Sequence, residues 1–328
     1  MKAILVNEPG PPEVLKLKEI DKPAIAPNQV LIRVQAISVN FADIKARQGQ
    51  YHGIEAGSAF IPGLDCSGEI IEIGEEVSRF QVGQRVMAFP KAGSYAEYAA
   101  ADEALTFHVP DELEMETAAA SLTIGVTAYN VIKKMARLVP GETVVIHSAA
   151  GGIGSVAIQL AKVYGAAQII GTVGSDEKIA AAKSFGADHV INYSTEDFAE
   201  RVNDLTDGKG ADVILDTIAG SHFEKSMDCL APFGRIISFG HANDGSAAGR
   251  IKTTDLHSSC RSVIGYSTGN YRKQRPEFLQ EGASAIMELL LQGKLNIAIS
   301  KRHPLAEAAQ AHAHIESRKS IGKVMLLP

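Results

Sequence analysis

Long apolar runs are missing from this 328-residue chain: no stretch of 18 consecutive apolar residues occurs, so no membrane-spanning helix is expected. The opening residues, MKAILVNEPGPPEV, reach proline and glycine too early for the apolar centre of a secretory signal. Cysteine is scarce. Cys66, Cys229 and Cys260 are odd in number and far apart, which argues against a disulfide framework and suits the reducing cytoplasm. Positive charge is not in excess, since 32 Lys and Arg face 38 Asp and Glu for a net charge of −6. That balance, without an aromatic–basic stripe, speaks against nucleic acid or an anionic membrane as partner. No low-complexity tract or fixed-period repeat appears. C-x-x-C and H-E-x-x-H are absent, and His312-x-His314 would set its two rings on different faces of a helix. With 45% hydrophobic and 21% charged residues, the chain has ample core for two globular domains.

The most informative stretch that is present runs from Thr143 to Lys162. Thr143 to His147 reads as a buried strand, and Ile153, Val156, Ala157, Leu160 and Ala161 form one stripe of a following helix. Between them, Ala149-x-Gly151-x-x-Gly154 matches G-x-G-x-x-G, with Ala in the first glycine place. The first small residue allows a tight turn, Gly151 lets backbone approach a pyrophosphate, and Gly154 lets helix and strand pack closely. Free N–H groups at the helix start then hold negative charge. A strand-to-helix turn packed tightly for its own sake would use the same glycines. The strand before and the helix after favour nucleotide binding.

Before this stretch the chain reads as short strands and turns: Ala3 to Val6, Leu15 to Ile20, Val30 to Val39, Gly68 to Ile73, Val82 to Phe89, and a hairpin-like piece from Gly93 to Tyr98. One short helix is expected from Phe41 to Arg47, closed by Gly49. Strands that follow strands imply an irregular, mostly antiparallel β barrel. From about Met115 the pattern changes to a long Ala-rich helix, Glu116 to Met135, with an interruption near Gly125. Strands and helices then alternate. Strands are expected at Gln168 to Val173, His189 to Asn192, Ala211 to Thr217, Arg235 to Phe239 and Ser262 to Tyr266, with a helix at Asp176 to Phe185. Ser194-x-x-Asp197 and Ser221-x-x-Glu224 read as capping boxes for two more helices. Such alternation predicts a doubly wound parallel sheet, so the fold class is α/β. The last segments are helix Pro276 to Gln292, a strand near Ile297, helix Leu305 to Glu316 and strand Lys323 to Leu327, which return to the first domain. The expected division is 1–122 with 268–328, against 123–267.

NAD-binding sheets usually carry an acid at the tip of the second strand, about 20 residues past the glycines, to accept from the ribose 2′-hydroxyl. Here that tip reads Thr172-Val173-Gly174-Ser175, without an acid. Ser175, Lys178 and the Tyr193 hydroxyl are placed to meet a 2′-phosphate instead. Ordinary helix capping by Ser175 with Asp176 and Glu177 is the plainer reading of part of this pattern, and those acids weigh against a phosphate. The missing acid favours NADPH.

Several stretches lie in order over nearly the whole length: Gly10-Pro-Pro-Glu-Val-Leu15, Val39-Asn-Phe-Ala-Asp43, Gly49-Gln-Tyr51, Ile61-Pro-Gly-Leu-Asp65, Val82-Gly-Gln-Arg-Val86, Gly93-Ser-Tyr-Ala-Glu-Tyr98, Ala149 to Gly154, Ile170-Gly-Thr-Val-Gly174, Val190-Ile-Asn-Tyr193 and Ser238-Phe-Gly240. Together they resemble the zinc-independent quinone oxidoreductases, the zeta-crystallin-like branch of the medium-chain dehydrogenase/reductases. The resemblance implies a GroES-like β-barrel catalytic domain formed by both chain ends, a central Rossmann domain, and a cleft between them for NADPH and substrate. It places Asn40, Phe41 and Asp43 near the nicotinamide and brings Tyr129 to the cofactor. Gly151, Gly152 and Ile153, within the turn from Ala149 to Gly154, would hold the pyrophosphate. Gly174, Ser175, Lys178 and Tyr193 would hold the adenosine phosphate, with Arg318 adding charge. Phe239, Gly240, Asn243, Tyr266 and Ser267 would flank the ribose and nicotinamide. Phe239 read alone is equally a strand-end core residue, and Arg318 a solvated helix-end cation.

Alcohol-dehydrogenase relatives hold a catalytic zinc with Cys, His and Cys. In this chain the first place falls near Asp43 and the His place is Leu64, which cannot ligate, so the site is expected to be metal-free. Without a Lewis acid the acceptor must itself be electrophilic, such as a quinone or an α,β-unsaturated carbonyl. The protein then positions the acceptor and offers donors to the developing oxyanion. Asn40 and Tyr51 are the expected donors, and Tyr51 aligns with a tyrosine that enoyl reductases of the superfamily use. Tyr51 is equally a loop aromatic covering the site. Neither His52 nor Asp43 falls in a recognisable proton-relay pattern. The leading expectation is an NADPH-dependent quinone reductase that forms a homodimer. The alternatives are an enone or enoyl-thioester reductase, or a non-catalytic, crystallin-like NADPH-binding protein. A CoA thioester would need a basic entrance, for which only Arg272-Lys273-Gln274-Arg275 offers itself.

Overall fold

The computed structural model describes residues 1–50, 59–242 and 249–328. The chain divides into two compact units. The first holds Met1–Val126, Arg272–Gly293 and Ile297–Pro328; the second holds Thr127–Tyr271 and Lys294–Asn296. Both boundaries fall four residues beyond the expected ones, at 126/127 and 271/272 rather than 122/123 and 267/268. The first boundary falls within the last turn of the continuous helix Met115–Tyr129.

The N-terminal stretch supplies β1 (Lys2–Leu5), β2 (Lys16–Glu19), β3 (Gln29–Val39), α1 (Phe41–Arg47), β4 (Cys66–Ile73), β5 (Arg85–Ala88), β6 (Tyr98–Asp102), β7 (Thr106–His108) and α2 (Met115–Tyr129). The central stretch supplies β8 (Thr143–Ile146), α3 (Gly152–Val163), β9 (Gln168–Val173), α4 (Ile179–Ser184), β10 (His189–Asn192), α5 (Phe198–Leu205), β11 (Ala211–Asp216), α6 (Ser221–Ser226), β12 (Leu230–Ser238), α7 (Thr253–Ser259), β13 (Ser262–Gly265) and α8 (Thr268–Gln274). The chain ends with α9 (Glu277–Leu291), β14 (Ile299–Pro304), α10 (Ala308–Glu316) and β15 (Lys323–Leu327).

In the first unit the main sheet runs β14-β15-β3-β4-β5-β7, with β6 also pairing with β3. It is antiparallel except between β14 and β15. The 11-residue β3 is its spine, pairing with β4, β6 and β15. Its near-continuous burial follows from that central place. The chain end returns against β3, with Val324 opposite Val39 and Leu326 opposite Ile37. Ile4, Ile37, Val39, Tyr95, Leu305, Val324 and Leu326 share one core there. Burying each such side chain contributes about 1.5–3 kcal/mol.

The sheet of the second unit runs β10-β9-β8-β11-β12-β13, all parallel. In order of appearance that is 3-2-1-4-5-6, the doubly wound arrangement, whose order reverses between β8 and β11. Its inner strands β8, β9 and β11 are largely buried, as expected of a parallel sheet with helices between its strands.

Several local expectations are corrected. Gly125 does not interrupt α2, which continues into a π-helical turn, Asn130–Ala136. A Cβ on Gly125 would lie 2.9 Å from Ile286 Cγ2, so its smallness serves packing against α9. Ser194 does not cap α5. Asp197 does, accepting from Ala199 and Glu200 N–H. Ser221 lies inside α6 behind Gly220 rather than at its cap. The piece expected from Gly93 to Tyr98 pairs with β1 through an antiparallel bridge between Ala3 and Ala96 and leads into β6, and the strand expected near Ile297 is Ile299–Pro304.

Candidate functional site

The turn between β8 and α3 is built for close approach. Ser148 takes a left-handed conformation (φ 55°), and Gly151 N–H returns to Ser148 O at 2.9 Å. Ala149 N–H is held by Thr172 O of β9 at 3.0 Å. A Cβ on Gly154 would sit 2.3 Å from Ser148 O and 2.8 Å from Ala149 Cα, so only glycine fits there. Gly151 is less constrained, since its Cβ would meet Ser148 O at 3.2 Å. Gly151 is also the N-cap of the 12-residue α3, and no side chain caps it. The first-turn N–H groups of Gly152, Ile153 and Gly154 are therefore left for an anion, and the donor set fits a dinucleotide pyrophosphate.

Beside it, the tip of β9 is laced to the tip of β10. Ser194 Oγ donates to Gly174 O at 2.9 Å, and Asn192 Nδ2 donates to Asp176 Oδ1 at 2.8 Å. The Asp176 carboxylate is thus tied to β10 and does not stand as the missing ribose acceptor. Ser175 makes no side-chain capping bond to the turn it opens, Asp176–Lys178, so plain capping does not account for it. A Cβ on Gly174 would come within 2.6 Å of Tyr193 Oη; glycine here lets the phenol lie across the strand tip. These features fit a 2′-phosphate better than a bare ribose.

Sequence reading missed the ring cluster behind Tyr193. His222 lies edge-on to Tyr193 (4.9 Å between centroids), stacks on Phe198 (4.5 Å) and meets His147 (4.8 Å). Fully buried, His147 bonds Thr172 Oγ1 at 2.8 Å and Ser226 Oγ at 2.9 Å. Burial first, then the neighbouring ring, hold His147 well below the usual histidine value, and burial with Lys225 lowers His222 to about 4. Positions 147, 193, 198 and 222 share no spacing that could have announced this contact.

The remaining expected cofactor residues are scattered through the second unit. Phe239 N–H donates to Asp216 O at 3.0 Å, at the C-terminal end of β12, where dinucleotide folds bind. A Cβ on Gly240 would stand 2.6 Å from Thr217 Oγ1. Tyr266 Oη accepts from Asn130 Nδ2 at 3.0 Å and from Thr268 Oγ1 at 3.2 Å; the Ser267 Oγ accepts Asn270 N–H at the start of α8. The Tyr129 ring packs edge-on to that of Tyr164, 6.4 Å between centroids, just past the C-terminal end of α3. Asn243 lies outside the described residues.

In the first unit, α1 begins at a buried polar cluster. Asp43 Oδ2 accepts the Asn40 N–H at 2.8 Å, a carboxylate closing the first turn of the helix. The Asn40 amide is committed at both ends. Its Oδ1 accepts from Lys323 Nζ at 2.8 Å, while its Nδ2 donates to Asp65 Oδ1 at 2.9 Å and Ser38 O at 3.2 Å. Both amide hydrogens point inward, so Asn40 is not the expected oxyanion donor but the keystone of the cluster. Asp65 further accepts from Ser38 Oγ (2.6 Å) and Thr123 N–H (2.9 Å), and Lys323 Nζ from β15 also reaches Val39 O (2.8 Å). Burial holds Lys323 below the usual lysine value against the pull of Asp65 and Asp43. Burial raises Asp43 to about 7, a shift that the Asn40 N–H limits. Phe41, next to this cluster, is 43% exposed and is the open face of α1. Arg318 is exposed beyond the end of α10, in a left-handed turn (φ 59°). Tyr51 and His52 lie outside the described residues.

Where metal-binding relatives carry ligands, Leu64 has none to offer, and Cys66 is buried at the start of β4 with its thiol pushed far up by burial. Among the described residues, no group of three or more His, Cys, Asp or Glu is placed to hold a metal. No helix among them is long and apolar enough to cross a membrane.

Comparison with known proteins agrees with this geometry. Residues 26–111 match the alcohol dehydrogenase GroES-like domain family, and residues 152–284 match the zinc-binding dehydrogenase family. The second name belongs to the family at large; the match covers neither Asp43 nor Leu64. The chain is 38% identical to a quinone oxidoreductase of Pseudomonas aeruginosa over 97% of both chains, and 33% identical to a 2-haloacrylate reductase of Burkholderia over 99% and 98%. The solved structure of Escherichia coli quinone oxidoreductase complexed with NADPH superposes with a TM-score of 0.92 at 31% identity, covering all of both chains. The chain belongs to the zinc-independent quinone oxidoreductase branch of the medium-chain dehydrogenase/reductase superfamily.

Proposed function

We propose that this protein is an NADPH-dependent quinone reductase, carrying hydride to quinones or related electrophilic carbonyls. The observation that carries the reading is the uncapped N-terminus of α3 over Gly154, beside a β9 tip that carries no acid and whose following Asp176 is tied to Asn192. When bound, NADPH supplies a hydride at nicotinamide C4. Gly151, Gly152 and Ile153 hold its pyrophosphate through backbone N–H groups, and Ser175, Lys178 and Tyr193 take the 2′-phosphate, with Arg318 adding charge. Phe239, Gly240, Asn243 and Ser267 shape the ribose and nicotinamide side. Asn40 and Lys323 hold the start of α1 rigid, Phe41 covers the acceptor, and Tyr51 donates to the developing oxyanion. Asp43 supplies the proton that completes reduction, which suits a carboxyl raised to about 7.

Relatives include a 2-haloacrylate reductase, so electron-poor alkenes are a second acceptor class. A CoA thioester is less favoured, because Arg272 is already engaged, its guanidinium 4.7 Å from the Phe89 ring centre and bonded to Pro90 O. We place the enzyme in the cytoplasm, consistent with three free cysteines, and without nucleic-acid or membrane partners, consistent with the net charge of −6. A homodimer is proposed through β13, the last strand of its sheet, whose outer edge invites a second copy. NADPH and NADH oxidation with a panel of quinones, enones and enoyl-CoA tests the function. Cofactor binding without turnover of any acceptor would support the crystallin-like alternative.

A further inference from the structure

Three buried groups from distant parts of the first unit form a hydrogen-bonded line that sequence spacing does not reveal. Tyr95 Oη lies 3.1 Å from Asp43 Oδ2 and 3.0 Å from His312 Nε2. Asp43 is 1% exposed, and Tyr95 and His312 are fully buried. Asp43 belongs to α1, Tyr95 to the segment before β6, and His312 to α10. The two ends of the line share a property: Asp43 Oδ1 and His312 Nδ1 are buried, yet neither has a hydrogen-bond partner among the described residues. A chain satisfied in its middle, with an unpartnered buried atom at each end, leaves a place for a proton to enter and to leave, whereas a purely structural network pairs its ends.

We propose that His312 and Tyr95 are positioning residues of a buried proton relay that recharges Asp43 after it protonates the reduced acceptor. This rests on the quinone reductase reading for the step at the acceptor, but the relay itself is a property of the protein alone. The balance is simple. The acceptor oxyanion takes the carboxyl proton of Asp43 and becomes a hydroxyl, leaving the carboxylate. Tyr95 O–H then gives its proton to Asp43, His312 Nε2–H gives its own to Tyr95, and His312 Nδ1 takes one from solvent. No oxidant or reductant is consumed. Every donor in the line has reversed, and rotation of the hydroxyl with exchange of the imidazole tautomer resets it.

The charged groups around the line suit neutral passage. Arg47, 1% exposed, stands near Tyr95 and His312 and is held by Glu316 at 2.5 and 3.1 Å. Asp65 and Lys323 also act on Asp43, with opposite signs. Burial and Arg47 bring His312 down to about 3, so the ring stays neutral and works by tautomer exchange rather than by carrying charge. Burial and Asp43 keep the Tyr95 phenol protonated. Glu316 follows His312 by one turn of α10 and so shares its face, marking the side on which solvent lies nearest.

The relay couples the protonation of Asp43 to the tautomer of His312. With Asp43 ionised, Tyr95 donates to it and His312 must donate from Nε2. With Asp43 protonated and donating, Tyr95 donates to His312 Nε2 and the ring hydrogen moves to Nδ1. Protein labelled with 15N-histidine, with His312 assigned through His312→Gln, is expected to switch from the Nδ1–H to the Nε2–H tautomer between pH 5.5 and 8.5, about the pH at which Asp43 titrates. A single tautomer across that range overturns the relay. In turnover, Tyr95→Phe and His312→Gln are each expected to lower kcat with a quinone roughly tenfold or more, with NADPH KM within about twofold and an enlarged solvent deuterium effect. Wild-type kcat and an unchanged pH profile in both variants would also overturn it. Failure of the wild-type protein to reduce any quinone removes the enzymatic reading, and the tautomer measurement, which needs neither cofactor nor acceptor, decides the relay separately.

Discussion

Lys323 Nζ, from the last strand of the chain, lies 2.8 Å from Oδ1 of Asn40, the residue that opens α1. The two are separated by almost the whole sequence, yet the amide of Asn40 stands between the ammonium and the Asp65 carboxylate and bonds to both. A buried cation and a buried acid thus face each other through one amide, inside a unit whose sheet is completed when β15 returns to β3. Removing either charge leaves the other without compensation in a dry environment. Lys323→Ala is expected to lower the stability of the first unit by about 3–5 kcal/mol, read by denaturant unfolding. A loss below about 1 kcal/mol would show that the cluster tolerates the unpaired acid.

Gly154→Ala should act mainly at the dinucleotide turn, because the new Cβ would meet backbone, 2.3 Å from Ser148 O, and cannot be relieved by a side-chain rotation. NADPH affinity is expected to fall at least tenfold, measured by titration of NADPH fluorescence, about 1.4 kcal/mol or more. Gly151→Ala, with a contact of 3.2 Å, should disturb the fold less while still crowding the pyrophosphate. Equal melting temperatures and equal affinities for Gly154→Ala and the parent would contradict the assignment of that glycine.

Lys178→Ala distinguishes the two dinucleotides. If the turn after β9 reads a 2′-phosphate, NADPH should bind about tenfold more weakly in the variant while NADH is little changed. Parallel losses for both would sink the phosphate assignment.

Tyr51→Phe tests the oxyanion donor. Loss of one such donor commonly costs a hundredfold or more in turnover, and at least tenfold is expected here across quinones and enones. Near-normal turnover would remove Tyr51 from the mechanism and leave it as a covering aromatic.

His222 makes acid destabilisation measurable. Its folded value is lowered to about 4, so between about pH 6.5 and 4 the unfolded chain binds a proton there that the folded chain refuses. Stability must therefore fall as pH falls through that window. Asp43, raised to about 7, has the opposite sign, since the folded chain holds its proton from about 7 down to the ordinary carboxylate range and gains stability on acidification. His222→Phe isolates the first effect. Relative to wild type, the variant should gain about 1 kcal/mol per pH unit on acidification below 6.5, the linkage value reduced for the partial exposure of the ring. Parallel stability curves for the two proteins would show that His222 is protonated in the folded state.

Much of the cofactor half was legible because its determinants are local. A strand, a turn of small residues and a helix must follow one another within 20 residues to make an anion site, and Thr143 to Lys162 carries all three. The missing acid after Val173 is likewise a local fact. Element boundaries followed where periodicity and turn residues agreed, as for Phe41–Arg47, Gln168–Val173 and Lys323–Leu327. Caps were read less well, since Ser194 and Asp197 both accept the role in sequence, and only backbone geometry chose Asp197.

The acceptor half was legible only as a list of residue types. Asn40 looks like a donor in sequence, and its donors are turned inward by Asp65 and Ser38 from other segments. Asp43, Tyr95 and His312 show no pattern, because hydrogen bonds across a folded sheet obey distance and not spacing. The nucleotide turn, the lack of an acid at its ribose end and the lack of a histidine where zinc would need one are all written along the chain. Which polar side chains are free to meet a substrate, and which are bound to one another, depends on the fold. A backbone anion site is made by neighbours in the chain, while the protonation and direction of a buried side chain are set by whatever the fold packs against it.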